Sequence, residues 1–154
     1  MEAEVSHQDL TILYTVVGHV VVCAGNLESR LKRTIAVVDG VPYGVDDTLH
    51  AEGWGGLEKQ MTRRFDRPRA TGLRETFEAH DFPKLLEFRN SVIHGAINVS
   101  SAPNLWISRH KKGVAGRTLL GTWEQALDLA SEMDRLNVAL HDWCKATEDM
   151  DEAR

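Results

Sequence analysis

Apolar residues recur along the first forty positions at steps of three and four: Leu10, Leu13, Val17, Val20, Ala24, Leu27, Leu31, Ile35 and Val38. That spacing predicts one long helix with an apolar stripe, because residues three and four apart share a helix face. Midway, Val16, Val21, Val22 and Cys23 make the segment apolar nearly all round. Such a helix is expected to be buried on more than one side, by its own bundle or by a second subunit. The β-branched run is also compatible with a strand.

Residues 39–56, "DGVPYGVDDTLHAEGWGG", hold five of the twelve glycines and one proline, and predict a long mobile connection. A second, shorter helix is expected across "LEKQMTRRF", stopped by "RPRATG". In "TFEAHDFPKLLEFRNSVIHG", Asp81 suits a cap, Pro83 a first turn and Gly95 the position after a helix end. Leu85, Leu86, Phe88, Val92 and Ile93 supply the apolar face of that helix. Segment 96–121 breaks into short apolar patches around a basic tip, which predicts an irregular two-stranded hairpin. From Thr122 the spacing of Trp123, Ala126, Leu127, Ala130, Met133, Leu136, Leu140 and Trp143 is helical again, with Thr122 and Gln125 placed for a capping box. The acidic end, "TEDMDEAR", is expected to fray.

These elements predict an all-α bundle of three or four helices with a small β-hairpin or irregular insert before the last helix. The 154 residues, 42% apolar, suffice for one core, so a single domain over 1–154 is expected, with its body at about 7–147 and an acidic tail at 148–154. No internal repeat is visible. A net charge of -5 argues against a surface that attracts nucleic acid everywhere, so any such contact must be local.

Cys23 and Cys144 sit in apolar helical contexts and read as buried reduced thiols rather than a disulfide or a metal site. The seven histidines and two cysteines lack metal-ligand spacing, and no glycine-rich phosphate loop or nucleophile elbow occurs, so no metal or cofactor is expected. The start lacks a cationic leader and "YTVVGHVVVCAG" reads as too short and too polar-flanked to span a bilayer. The expectation is a soluble cytoplasmic protein without a membrane partner.

The chemistry of interest lies in "FRNSVIHG", residues 88–95. Arginine is a permanent cation whose fork of donors matches phosphate oxygens, and histidine gives or accepts a proton near neutral pH. Cleavage of RNA at its own 2′-hydroxyl needs a base, an acid and positive charge at the phosphorane, and no metal. At about 100° per residue, Asn90 and His94 lie ~40° apart on a helix while Arg89 and His94 lie ~140° apart. Asn90 is therefore expected to orient His94 directly, or else a phosphate oxygen, and Arg89 to reach around. One helix carries one histidine, so two-proton chemistry is better served by two copies meeting across a two-fold axis. The competing reading is an ordinary helix end, with a cation favoured by the dipole and a glycine stop.

The order of a long first helix, a polar loop, a helix ending in "RNSVIHG", a hairpin and a long final helix resembles the HEPN family, over about residues 7 to 147. Arg89, Asn90 and His94 match its motif of an arginine, a polar residue and a histidine four to six residues on. The resemblance implies a helical homodimer whose two motifs share one cleft. It often implies a metal-independent endoribonuclease in toxin–antitoxin, phage-defence or RNA-processing systems, with an antitoxin or other protein regulator as a partner. In one branch a tyrosine two residues after the histidine is modified by the antitoxin; here that position is Ala96. Other members bind nucleotide, RNA or a protein without cleaving, which is the alternative function.

Two basic runs are candidate RNA contacts. Arg109, His110, Lys111, Lys112 and Arg117 crowd the hairpin tip, where phosphate binding competes with a plain solvated loop. Arg63 and Arg64, with Arg67 and Arg69, either line the same cleft or form the wet face of the second helix. Trp54 among glycines offers base stacking or a latch, against ordinary packing. His19 and His141 are expected as hydrogen-bonded core histidines.

Overall fold

The computed structural model describes residues 7–44, 49, 51–94, 96–101, 104–111 and 114–153, with the backbone alone over 96–120. The fold is all-α with a small β insert. Among the described residues the helices are α1 (His7–Asp39), α2 (Trp54–Thr62), α3 (Leu73–Ala79), α4 (Phe82–His94) and α5 (Trp123–Glu152), with a 3-10 turn at Pro68–Ala70. Between α4 and α5 lie strands β1 (Ala96–Ser101), β2 (Asn104–Lys111) and β3 (Val114–Thr122). The backbone groups into two compact units, one of residues 1–24 and 83–132, the other of 25–82 and 133–154. α1 and α5 each contribute to both.

In the first unit the insert is an antiparallel meander in the order β1-β2-β3, one strand more than the expected hairpin. Short strands of mixed polarity give little period-two signal, which hid β1. The β2–β3 register shifts between Leu105, opposite Gly121, and Trp106, opposite Leu119, so Leu120 is an extra residue on β3. Gly121 takes a φ of 127° at this bulge, a conformation open mainly to glycine. α5 then starts as expected: the Thr122 amide donates to Gln125 Oε1 at 2.9 Å and the Gln125 amide to Thr122 Oγ1 at 3.3 Å.

The second unit carries most of the fully buried side chains, among them Leu27, Leu31, Ile35, Leu57, Met61, Leu73, Met133, Leu136 and Leu140. Arg30 Nε donates to Asn137 Oδ1 at 3.3 Å, Thr34 Oγ1 lies 3.4 Å from Cys144 Sγ, and Arg33 pairs with Glu148 at 3.2 Å. From Arg30–Asn137 to Thr34–Cys144 the contacts advance along both helices together, so α1 and α5 run in the same direction here. Burial pushes the Cys144 thiol above its ordinary value of 9.0, with the Thr34 hydrogen bond pulling the other way. Both cysteines are buried, and neither forms a disulfide.

α1 ends in a glycine cap. Gly40 takes a φ of 69°, its amide donates to the Val37 carbonyl at 3.1 Å, and the Val41 amide to that of Ala36 at 3.0 Å, the two bonds of a Schellman motif. Asp39, just before it, accepts from Arg64 Nε and NH2 at 2.8 Å each and pairs with Arg67. Arg69 donates to the Val37 carbonyl at 3.1 Å and pairs with Asp151. The end of α5 is thus held by Arg33 and Arg69 and continues to Glu152, which corrects the expectation that it frays.

Trp54 opens α2, three residues before the expected start, and is 1% exposed. Its ring stacks on Phe82 at 5.7 Å and 8°; Phe82 meets Phe77 edge-on at 5.0 Å, and Phe77 meets Phe65 at 5.4 Å. The indole is therefore core. Its place corrects the end of the expected 39–56 connection; residues 45–48 and 50 of that segment lie outside the described residues. The seven-residue α3 was not anticipated. It follows Gly72 at a φ of 78° and is too short to show a period. Asp81, between α3 and α4, takes a φ of 46°, a left-handed conformation that aspartate tolerates better than most residues.

His19 and His141 are exposed, not core as expected; His19 Nε2 lies 3.8 Å from Cys23 Sγ. On α1, Ile12, Tyr14, Val21 and Val22 also face outward. By length and composition α1 is long and apolar enough to cross a membrane, which revises the reading that its apolar run is too short. Only 28% of its most apolar 18-residue window is buried by the rest of the chain, so much of it stands open.

Candidate functional site

α4 buries Phe82, Leu85, Phe88 and Val92, spaced by three or four residues along one face. Arg89, Asn90 and Ser91 are half-buried beside that face, and His94, the last helical residue, is exposed. Anchored by Phe88 and Val92, the motif sits on a rigid element and opens to solvent only at its end. Gly95 lies outside the described residues.

Arg89 closes the angular gap to His94 with its long side chain. Its NH1 donates to Asn90 Oδ1 at 3.1 Å and lies 3.4 Å from His94 Nε2. The Arg89 Nε is buried at the base of this arrangement. A guanidinium has donors only, so a bond along this 3.4 Å line requires a neutral imidazole with its proton on Nδ1. Asn90 thereby meets the arginine, and Arg89 reaches around the helix to His94.

The two basic runs differ. Arg64 is committed to the fold, with NH1 on the Gln60 carbonyl at 2.8 Å and Oε1 at 2.7 Å besides its bonds to Asp39. Arg63 is exposed. On the meander, Arg109, His110 and Lys111 pair with Gly116, Ala115 and Val114, and Arg117 pairs with Ser108, so these four flank the β2–β3 turn. Lys112 lies outside the described residues. Among the described residues no group of three or more His, Cys, Asp or Glu side chains could hold a metal ion.

A cavity that the sequence reading missed lies in the second unit. Asn26, Ser29, Arg30 and Arg33 of α1, Tyr43 of the following turn and Asn137 of α5 enclose about 380 Å³. The helical spacing of the four α1 residues was legible in the sequence; their meeting with Tyr43 and Asn137 was not. No known family model, no curated protein and no solved structure matches this chain.

Proposed function

We propose that the chain is a HEPN-type, metal-independent endoribonuclease acting as a cytoplasmic homodimer in a defence, toxin–antitoxin or RNA-processing setting. The observation that carries this reading is the approach of Arg89 NH1 to His94 Nε2 at 3.4 Å on a rigid helix end open to solvent. It joins a permanent cation to an imidazole that can take or give a proton, the pair that phosphodiester transfer uses.

In this mechanism Nε2 of one His94 takes the proton of the ribose 2′-hydroxyl. The 2′ oxygen attacks phosphorus, the bond to the 5′ oxygen breaks, and the His94 of the second copy, which enters the step as imidazolium, gives its Nε2 proton to that leaving oxygen. The products are a 2′,3′-cyclic phosphate and a 5′-hydroxyl. Arg89 offsets the charge of the phosphorane, and Asn90 is a positioning residue acting through Arg89. A dimer is favoured by the outward face of α1. Tyr14, Gly18, Val21 and Gly25 follow one another at steps of four, three and four, with Tyr14 70% and Val21 46% exposed. A Cβ placed on either glycine would meet nothing within 4 Å, so a second helix has room to approach.

The test is incubation of the protein with mixed-sequence RNA in EDTA and analysis of the fragment ends. Wild type is expected to leave 2′,3′-cyclic phosphates. Arg89→Ala and His94→Ala should each lower the rate by about 10²–10⁴-fold without lowering the melting temperature of the dimer. Retained cleavage in either folded variant defeats the assigned role, and no cleavage by wild type favours the non-catalytic binding module.

A further inference from the structure

His94 ends α4, one residue intervenes, and Ala96 opens β1, so the meander leaves directly from the candidate site. Both belong to the same compact unit. The strand register fixes what stands alongside. Ala96 lies opposite Ser108 on β2, and Ser108 opposite Arg117 on β3, which makes one row across the sheet. Neighbouring strands are about 4.8 Å apart, so Arg117 stands about 10 Å from Ala96 in that row. Every second residue of a strand returns to the same face, about 7 Å further on, and the next row there is Asn98, Trp106 and Leu119. In the other direction His110, opposite Ala115, shares the face and extends past the start of β1.

This alternation divides the basic tip. Arg117 and His110 share their face with Trp106, whereas Arg109 and Lys111 fall on the other face with Ile97 and Ile107. The first face thus brings together a guanidinium, an imidazole, an indole and, at Asn98, an amide, and its rows hold no carboxylate. A solvated hairpin needs no tryptophan, and a strand face that only packs needs no cation in the next row. Cations beside a flat aromatic surface are the pattern of a platform for single strands: backbone phosphates follow the charge, and a base stacks on the ring. A base within a duplex is already stacked and paired, so stacking on a side chain selects an unpaired one.

We propose that the face on which the register sets Trp106 beside Arg117 and His110, starting two residues from His94, is a stacking subsite for an unpaired base near the bond that His94 acts on. Trp106 takes the base, Arg117 and His110 take flanking phosphates, and Asn98 supplies an amide for the edge of the base. The inference rests on the endoribonuclease reading for its substrate. It adds a strand without base pairs as that substrate and a residue that selects the cleavage context, outside the proton transfers themselves.

The experiment measures, by fluorescence anisotropy, binding of a short single-stranded RNA carrying 2′-fluoro groups, which lack the nucleophile, with each base in turn removed to leave an abasic sugar. Wild type is expected to lose about tenfold in affinity at one position and little elsewhere. It should bind the same strand at least about tenfold more weakly once annealed to its complement. Trp106→Ala should erase the dependence on that position and Trp106→Phe should keep it, a coupling that a loss of stability would not produce. Arg117→Gln should weaken every strand alike. Base removal perturbs the ligand alone, so the wild-type scan decides even if Trp106→Ala does not fold. Equal tolerance of all abasic positions, no binding of the single strand, equal or tighter binding of the duplex, or a position dependence that survives in folded Trp106→Ala overturns the proposal. Cleavage is read separately, on the 2′-hydroxyl strand in EDTA. A dependence on Trp106 without cleavage leaves the subsite standing and removes the nuclease, and cleavage without an abasic-sensitive position does the reverse.

Discussion

Replacing Trp54 by alanine separates a core residue from a surface latch. The indole is 1% exposed, and a buried tryptophan removes roughly 150–250 Å² from water. At about 25 cal/mol/Å² that corresponds to roughly 4–6 kcal/mol as an upper bound, since the unfolded chain already hides part of its surface. The near-parallel stack on Phe82 adds about 0.5–1.5 kcal/mol, and its loss leaves the Phe82–Phe77–Phe65 series without its first member. Core Trp→Ala changes fall at about 3–5 kcal/mol, so Trp54→Ala is expected to cost about 4 kcal/mol. Trp54→Phe keeps a ring against Phe82 and should cost about 1–2 kcal/mol. Urea unfolding followed by far-UV circular dichroism measures both, and for a chain of this size the alanine variant should melt about 8–16 °C lower. A loss under about 1 kcal/mol accompanied by weaker RNA binding would refute the packing argument and restore the latch.

Gly40→Ala places a Cβ at a φ of 69° and should cost about 1–2 kcal/mol by thermal melting, with Gly40→Asn milder because asparagine tolerates that conformation. For Cys144, the raised thiol value means that the unfolded chain releases its proton first, so this contribution to stability is complete below pH 9.0 and is lost as pH rises through the higher folded value. Melting temperatures recorded above pH 9.0 should fall less steeply in Cys144→Ala than in wild type, and thiol reagents should modify Cys144 only as fast as the protein opens. Val21→Glu puts a charge on the outward face of α1 and should shift the proposed dimer toward monomer in sedimentation while leaving helix content unchanged; an unaltered sedimentation profile refutes a dimer contact on this face.

The long helices were legible because their apolar periods run for many turns: Val20, Leu27, Leu31 and Ile35 on α1, and Ala130, Met133, Leu136 and Leu140 on α5, are all buried. The start of α5 was legible from two side chains, Thr122 and Gln125. Short elements escaped, since the seven residues of α3 make two turns and the alternation in β1 spans only Ile97 to Ser100. At the candidate site, sequence spacing singled out Arg89, Asn90 and His94 and the reach required of Arg89, but not the contact between Arg89 and Asn90, because angular separation on a wheel ignores where a long side chain folds back. Glycines misled around Trp54: Gly55 and Gly56 suggested a loop, yet burial of Trp54 and Leu57 carries the helix through them.

The arginines that hold the ends of α1 and α5 also set what the protein can offer an anionic polymer. Lys32, Arg33, Arg64, Arg67, Arg69 and Arg74, a third of the eighteen Lys and Arg, are neutralised within the molecule. A strand that recruited them would first have to displace their carboxylates. For single strands each phosphate contact contributes about -0.7 to the slope of log affinity against log salt, so these six would add to the slope only where their carboxylates give way.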